Sequence, residues 1–191
     1  MRRFVRKLGS ADGAEIAEVA LVLPVVFTFL LGIVWFGRAF QIYSTITQAA
    51  RQGAVTAARP VCGSCALGGG TWNSTGFPGD ASVESSVLAV MRSSNLDPAQ
   101  IVAYTPSGLQ ACPTPQPPIP APPPMDCPHA IANISVCRSV WLNPSTASDP
   151  PPPQCGVVVS FQYPFHFSVP FTSLGTQPTL LKAVAQSRME N

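Results

Sequence analysis

Along the chain, the pattern of apolar and polar positions falls into three regimes. From Val19 to Gly37 the sequence reads VALVLPVVFTFLLGIVWFG, nineteen residues without a charge. At ~1.5 Å per residue, a helix of that length spans roughly 28 Å, close to the thickness of bilayer hydrocarbon. The pattern predicts a membrane-spanning helix. Pro24 sits near the start of the run, where a helix tolerates it better than at its centre. Beyond Arg38 the pattern becomes periodic. Ile42, Ile46, Ala49, Ala50, Gly53, Ala54 and Ala57 recur at spacings of three and four, while Gln41, Gln48, Arg51 and Gln52 fall elsewhere. Pro60 ends the pattern. One helix is expected from about Ala14 to Ala58, ~68 Å long. Its outer half carries a stripe of small residues suited to close packing, either on the chain's own globular part or against other helices of the same kind.

The third regime is irregular. Residues 60–79 are rich in glycine and read as a loop. Asp80 is a plausible N-cap for the helix ASVESSVLAVMRSS, with Val83, Val87, Leu88 and Met91 on one face. A strand is expected to start near Gln100, a second within HAIANISVCRSVWL, and the strongest within GVVVSFQYPF, which is β-branched and aromatic. TLLKAVAQSRME is apolar enough for a last strand or a short helix. Nine of the 18 residues from Ala111 to Pro128 are proline, and NPSTASDPPPPQ forms a second proline loop. The fold class expected is α+β: a long N-terminal membrane-spanning helix, then a small antiparallel meander of about four strands packed by a helix. The chain divides into a basic leader (1–13), the transmembrane and extended helix (14–59, membrane span about 19–37) and an extracytoplasmic domain (60–191) with proline-rich inserts at 111–128 and 143–154.

Composition sharpens this picture. Only 10% of the 191 residues are charged and 22 are proline, against roughly a quarter charged and about 5% proline in ordinary soluble domains. That excludes a coiled coil, a charge-rich disordered tail and a typical cytosolic enzyme. A net charge of +2 gives no argument for nucleic acid. A mean hydropathy of only +0.24 excludes a polytopic membrane protein. From Pro60 onward there are ten charges in 132 residues, which fits a secreted stalk-like domain.

Charge also orients the anchor. Arg2, Arg3, Arg6 and Lys7 precede the apolar run and only Arg38 immediately follows it, which favours a cytoplasmic N-terminus and an extracytoplasmic C-terminal domain. The run is longer than the 7–15 residues of a secretory signal, and no small-x-small site follows it, so a retained anchor is the better reading. Gly13 is followed by Ala14, and Glu18 is the fifth residue after Gly13. This is the layout of a type IV prepilin-like leader, with cleavage after Gly13 exposing the amine of Ala14. The competing Gly9 places Ala14, not a carboxylate, five residues on. A carboxylate at the head of an apolar helix is costly unless paired. Glu18 is therefore either an interfacial carboxylate or the partner of a freed Ala14 amine on a neighbouring subunit, with Glu15 the weaker candidate for that pairing.

The stretch GAEIAEVALVLPVVFTFLLGIVWFGRAFQIYSTITQAARQGAVTAA resembles the TadE family of tight-adherence pilus proteins. The matching pieces are Glu18, Ala20 to Pro24, the Phe36-Gly37-Arg38 exit, and Ala49 to Ala54, which includes Arg51 and Gly53. The family's usual Val-Glu-Phe reads Ala17-Glu18-Val19 here. The ending AVAQSRMEN is similar to the family's closing strand, with Arg188 and Glu190, and favours a strand for the last segment. The resemblance implies a pseudopilin-like minor component of pilus biogenesis, processed by a prepilin peptidase. Its partners would be the bilayer, other pilins and assembly-platform proteins, with incorporation in a surface pilus as the further step the resemblance implies.

The cysteines bracket the proline loops. Six cysteines outside the membrane favour disulfides, in any of fifteen connectivities. The expected pairs are Cys112–Cys127 and Cys137–Cys155, each joining adjacent strands across an insert, at about 2–4 kcal/mol apiece. Cys62 and Cys65 form a CxxC pair and a further disulfide candidate. Zinc would want a second such pair, yet His129 and His166 are isolated. A redox motif would open a helix after a strand, which Gly63-Ser64 in a glycine-rich loop does not. No other catalytic pattern stands out: His166 reads as a strand or loop residue, and Gly68-Gly69-Gly70 lacks the lysine of a phosphate loop. No cofactor, metal, nucleic acid or small-molecule substrate is expected. The sequons at Asn73 and Asn133 carry little weight in the bacterial setting that the resemblance implies, and the proline tracts read as stiff spacers or docking segments. Three functions compete: a non-enzymatic pilin-like assembly component, a generic membrane-anchored binding module with a retained signal anchor, and a membrane-tethered thiol oxidoreductase using Cys62 and Cys65.

Overall fold

The structure, a computed structural model, describes residues 11–59, 77–112, 127, 133–144, 154–166 and 177–189. The chain divides into two compact units, Met1–Gln41 and Ile42–Asn191. Helix α1 runs from Ala11 to Ala58, ending where the periodic pattern stops. Pro24 lies inside it, so the carbonyl four residues earlier lacks its usual donor. One turn on, the Thr28 hydroxyl lies 2.7 Å from the Pro24 carbonyl oxygen and 2.9 Å from that of Val25, so it finds its acceptor within the helix.

In the second unit, the small-residue stripe is consumed by the protein's own core. Ile46, Ala49, Ala50, Ala54, Ala57 and Ala58 are at most 2% exposed, whereas Gln48, Arg51 and Gln52 face outward. Helix α2, Asp80–Ser93, buries Val83, Val87 and Met91 against the same core, with Leu88 beside them. It ends in a two-bond cap: Leu96 N–H donates to the Met91 carbonyl (3.0 Å) and Asn95 N–H to that of Arg92 (3.1 Å). Asn95 takes the left-handed conformation this cap needs (φ 56). The expected N-cap is corrected. Gly79 holds that position without a side-chain bond, and Asp80 is the first helical residue. Its carboxylate is engaged elsewhere, as described below.

Among the described residues the sheet has three antiparallel strands in the order β1 (Ser135–Trp141), β2 (Cys155–Phe165), β3 (Thr179–Arg188), where about four were expected. The segment near Gln100 forms a single 3-10 turn, Pro98–Gln100, capped by the Asp97 side chain, which accepts from Ala99 N–H. The next residues join the backbone ladder as an isolated bridge, where Val102 and Gln162 exchange two 2.9 Å bonds. Pro106 has no N–H to continue a ladder and Gly108 turns the chain at φ 83. A second isolated pair, Ala111 with Val140, borders β1. The closing segment is a strand, as the family resemblance suggested, paired with β2 over ten positions from Gly156↔Arg188 to Phe165↔Thr179.

β2 is apolar over most of its length, with Ser160 and Gln162 as its polar residues, because both its faces are covered. Val157, Val159, Phe161 and Tyr163 meet α1 and α2, with Val136, Ala183 and Ala185 from the neighbouring strands. On the opposite face, Val158 packs with Cys127, Cys137 and Val140. Edge strand β3 is covered on one side and alternates instead, Ala183 and Ala185 inward, Lys182, Val184 and Gln186 outward. Burial raises the pKa of Tyr163, and the charge of Asp97 adds to the rise against a lowering bond from the Asp97 backbone. The unfolded chain therefore ionises first. Stability held below the ordinary tyrosine value of about 10 is expected to fall as pH rises through and beyond it, and Tyr163→Phe should flatten that loss in thermal melts.

The disulfides differ from the expected pairs. Cys112 bonds Cys155 and Cys127 bonds Cys137, with Cα–Cα separations of 5.7 and 4.9 Å. The ladder explains why Cys137 does not reach Cys155. Cys137 lies opposite Val158, three residues along β2 from Cys155, about 10 Å at strand rise, and an odd offset points the two side chains to opposite faces. Cys155 instead reaches Cys112, whose N–H bonds the Ser139 carbonyl at 2.7 Å on the far side of β1. The first proline insert is thus clamped at both ends, by two different strands. Cys62 and Cys65 lie outside the described residues.

Candidate membrane-anchoring and assembly helix

The first unit presents apolar side chains on every side. Large hydrophobic residues are exposed from Ile16 through Phe40, reaching 72% at Leu21 and 82% at Phe36. A helix in water buries one stripe and solvates the rest; one that is apolar all round is stable only when another apolar medium surrounds it. It is the one helix among the described residues long and apolar enough to cross a membrane.

The sequence-predicted residues distribute along it as follows. The backbone is already helical at Gly13 and Ala14. Glu15 and Glu18 are exposed, one turn apart, near the helix N-terminus, where the helix dipole favours negative charge. Pro24, Gly37 and Arg38 are also exposed. A Cβ placed on Gly37 would meet nothing within 4 Å, so its absence there has no packing reason within the chain. Arg51 is exposed and Gly53 is buried. A Cβ on Gly53 would come within 2.6 Å of Val87 Cγ2, so that glycine lets α1 approach α2. In the first unit, Thr28, Phe29, Gly32, Ile33 and Phe36 line a shallow groove. Four of them, at positions i, i+3, i+4 and i+7, form the kind of hole that receives a side chain from a facing helix, with Gly32 as its floor.

Sequence reasoning overlooked Arg138. It follows a bulge-prone point in β1, where the register slips between Cys137 and Val140 and Ser139 adopts φ 55. Its guanidinium donates to Asp80 Oδ1 from Nε (3.3 Å) and Nη2 (2.9 Å), to the Pro78 carbonyl from Nη2 (2.7 Å), and to the Ala57 carbonyl from Nη1 (3.3 Å). α1 has no basic residue in its last turn, so Arg138 supplies the C-terminal cation from across the fold and ties it to the start of α2. The available signal was a lone charge in an apolar strand. Arg138→Met should cost about 1.5–3 kcal/mol by leaving these acceptors unpaired, read as a lower Tm of the full chain in detergent. His166 is exposed just past β2, and among the described residues no cluster of three or more His, Cys, Asp or Glu is placed to hold a metal ion.

A family model for TadE-like proteins matches residues 13–55. The matched stretch covers the apolar run and the first part of the buried stripe. No curated protein and no solved structure matches the chain.

Proposed function

We propose that this chain is a TadE-like minor pilin or pseudopilin: a single-pass, membrane-anchored component of tight-adherence pilus biogenesis that works by assembly and not by catalysis. The observation that carries the reading is that the TadE-like match over residues 13–55 contains a helical stretch, Ile16 to Phe40, whose large apolar side chains are exposed. The basic leader lies in the cytoplasm and the disulfide-bonded domain outside. A prepilin peptidase cuts after Gly13, and Glu18 pairs with the Ala14 amine of a neighbouring subunit. The stem then moves between bilayer and assembly, with the groove over Gly32 receiving a side chain of a neighbouring pilus-type helix.

The mature N-terminus tests this most directly. Intact mass of the purified membrane protein is expected to begin at Ala14 in cells with an active prepilin peptidase. A species beginning at Met1 instead supports the generic anchored module with a retained leader. Glu18→Ala should leave membrane insertion intact and sharply reduce piliation; unchanged piliation would remove the pairing role.

A further inference from the structure

The exposed apolar surface of α1 outruns the uncharged segment. The uncharged residues, Val19–Gly37, match hydrocarbon thickness alone, whereas exposed hydrophobic side chains extend from Ile16 to Tyr43. At 1.5 Å per residue that is roughly 40 Å, the thickness of a bilayer with its headgroup regions included. The exposed large hydrophobics of α1 beyond Gly37 are aromatic, Phe40 and Tyr43, and they adjoin Trp35 and Phe36 at the end of the uncharged run. Phe36, Phe40 and Tyr43 follow one another at spacings of four and three on one face and are 82%, 70% and 48% exposed. Trp35 and Arg38, one turn apart, lie on the other side of the helix. Arg38 is exposed and forms no ion pair among the described residues.

We propose that Trp35, Phe36, Arg38, Phe40 and Tyr43 form an interfacial girdle seated in the headgroup region of the outer leaflet, with Arg38 reaching lipid phosphate. Aromatic rings are stabilised at that depth because one part contacts acyl chain and the other contacts glycerol and water. A guanidinium there keeps its charge hydrated and pairs with phosphate, while its stem lies along hydrocarbon. The girdle sets how deep the anchor sits, and it places the bilayer boundary several residues beyond the end of the uncharged run. The inference rests on the membrane-anchored reading.

The test uses the full chain in vesicles of phosphatidylcholine and phosphatidylglycerol. A fluorescent non-natural amino acid is placed singly at positions 29, 40, 43 and 52, all exposed, so folding is preserved and the native tryptophans stay. Quenching is read from iodide in water and from lipids spin-labelled either near the headgroup or deep in the chain. Positions 40 and 43 should respond best to the headgroup label, and iodide should quench position 52 several-fold more than either. Position 29 should respond to the deep label. If position 29 is lipid-quenched while 40 and 43 respond to iodide as position 52 does, the girdle is overturned and the anchor stands. If position 29 also responds only to iodide, the membrane reading itself falls. Arg38→Leu should shift the response at position 40 toward the deep label; an unchanged ratio overturns the part assigned to Arg38.

Discussion

Replacing Cys112 and Cys155 together by serine is expected to cost the globular unit about 4 kcal/mol, the largest loss from any single link. The reason lies in the unfolded chain. These cysteines are 43 residues apart in sequence, and closing a loop of that length removes about 4 kcal/mol of chain entropy. Both are only partly buried, so serine fits without leaving a cavity. The Cys127–Cys137 link closes a span of only 10 residues, for which the same relation yields about 3 kcal/mol. Thermal melts of the full chain in detergent, followed by near-ultraviolet dichroism, should therefore rank the first double variant below the second. Non-reducing peptide mapping should recover Cys112 linked to Cys155 and Cys127 to Cys137. A Cys137–Cys155 fragment would overturn that connectivity.

Gly53→Leu should disrupt the same unit by a different route. An alanine at this position would gain about 1 kcal/mol in helix propensity, but its Cβ would already lie 2.6 Å from Val87 Cγ2 and 3.4 Å from Val159 Cγ1. Val87 is β-branched and inside a helix, so its rotamer is stiff and the strain passes to the backbone of α2. Overpacking of this kind typically costs 1–3 kcal/mol, and a leucine adds three more carbons to a site with no room for the first. Limited proteolysis should show early cutting in α2 while the membrane segment stays protected. Gly37→Leu is the matched control, because a side chain there meets nothing within the chain and should leave the melt unchanged.

The contrast between these two glycines marks where sequence reading succeeds. Periodicity in Ile42–Ala57 identified the buried face of α1 position by position, because helical spacing is a local property. β2 was legible for a similar reason, since it is a continuous segment rich in β-branched and aromatic residues, whereas the residues of β3 fitted a strand or a short helix and the family resemblance decided between them. The strand near Gln100 failed because Val102 makes a single ladder contact before Pro106 and Gly108 turn the chain away, and β2 is paired with β1 from Ser160 back to Cys155. Asp80 looked like a cap because its local pattern fits one. Arg138, fifty-eight residues away, takes its carboxylate instead.

What the sequence determined by itself is the long apolar helix: nineteen uncharged residues followed by a stripe at helical spacing are local features. The α+β class followed from local patterning too. Only the tertiary structure decided the disulfide connectivity, the clasp at Arg138, and the fate of the small-residue stripe, which packs on its own sheet. The physical reason is common to all three. Each depends on which residues distant in sequence come within a few ångströms, and a strand register shifted by three residues changes both the distance and the face that a cysteine presents.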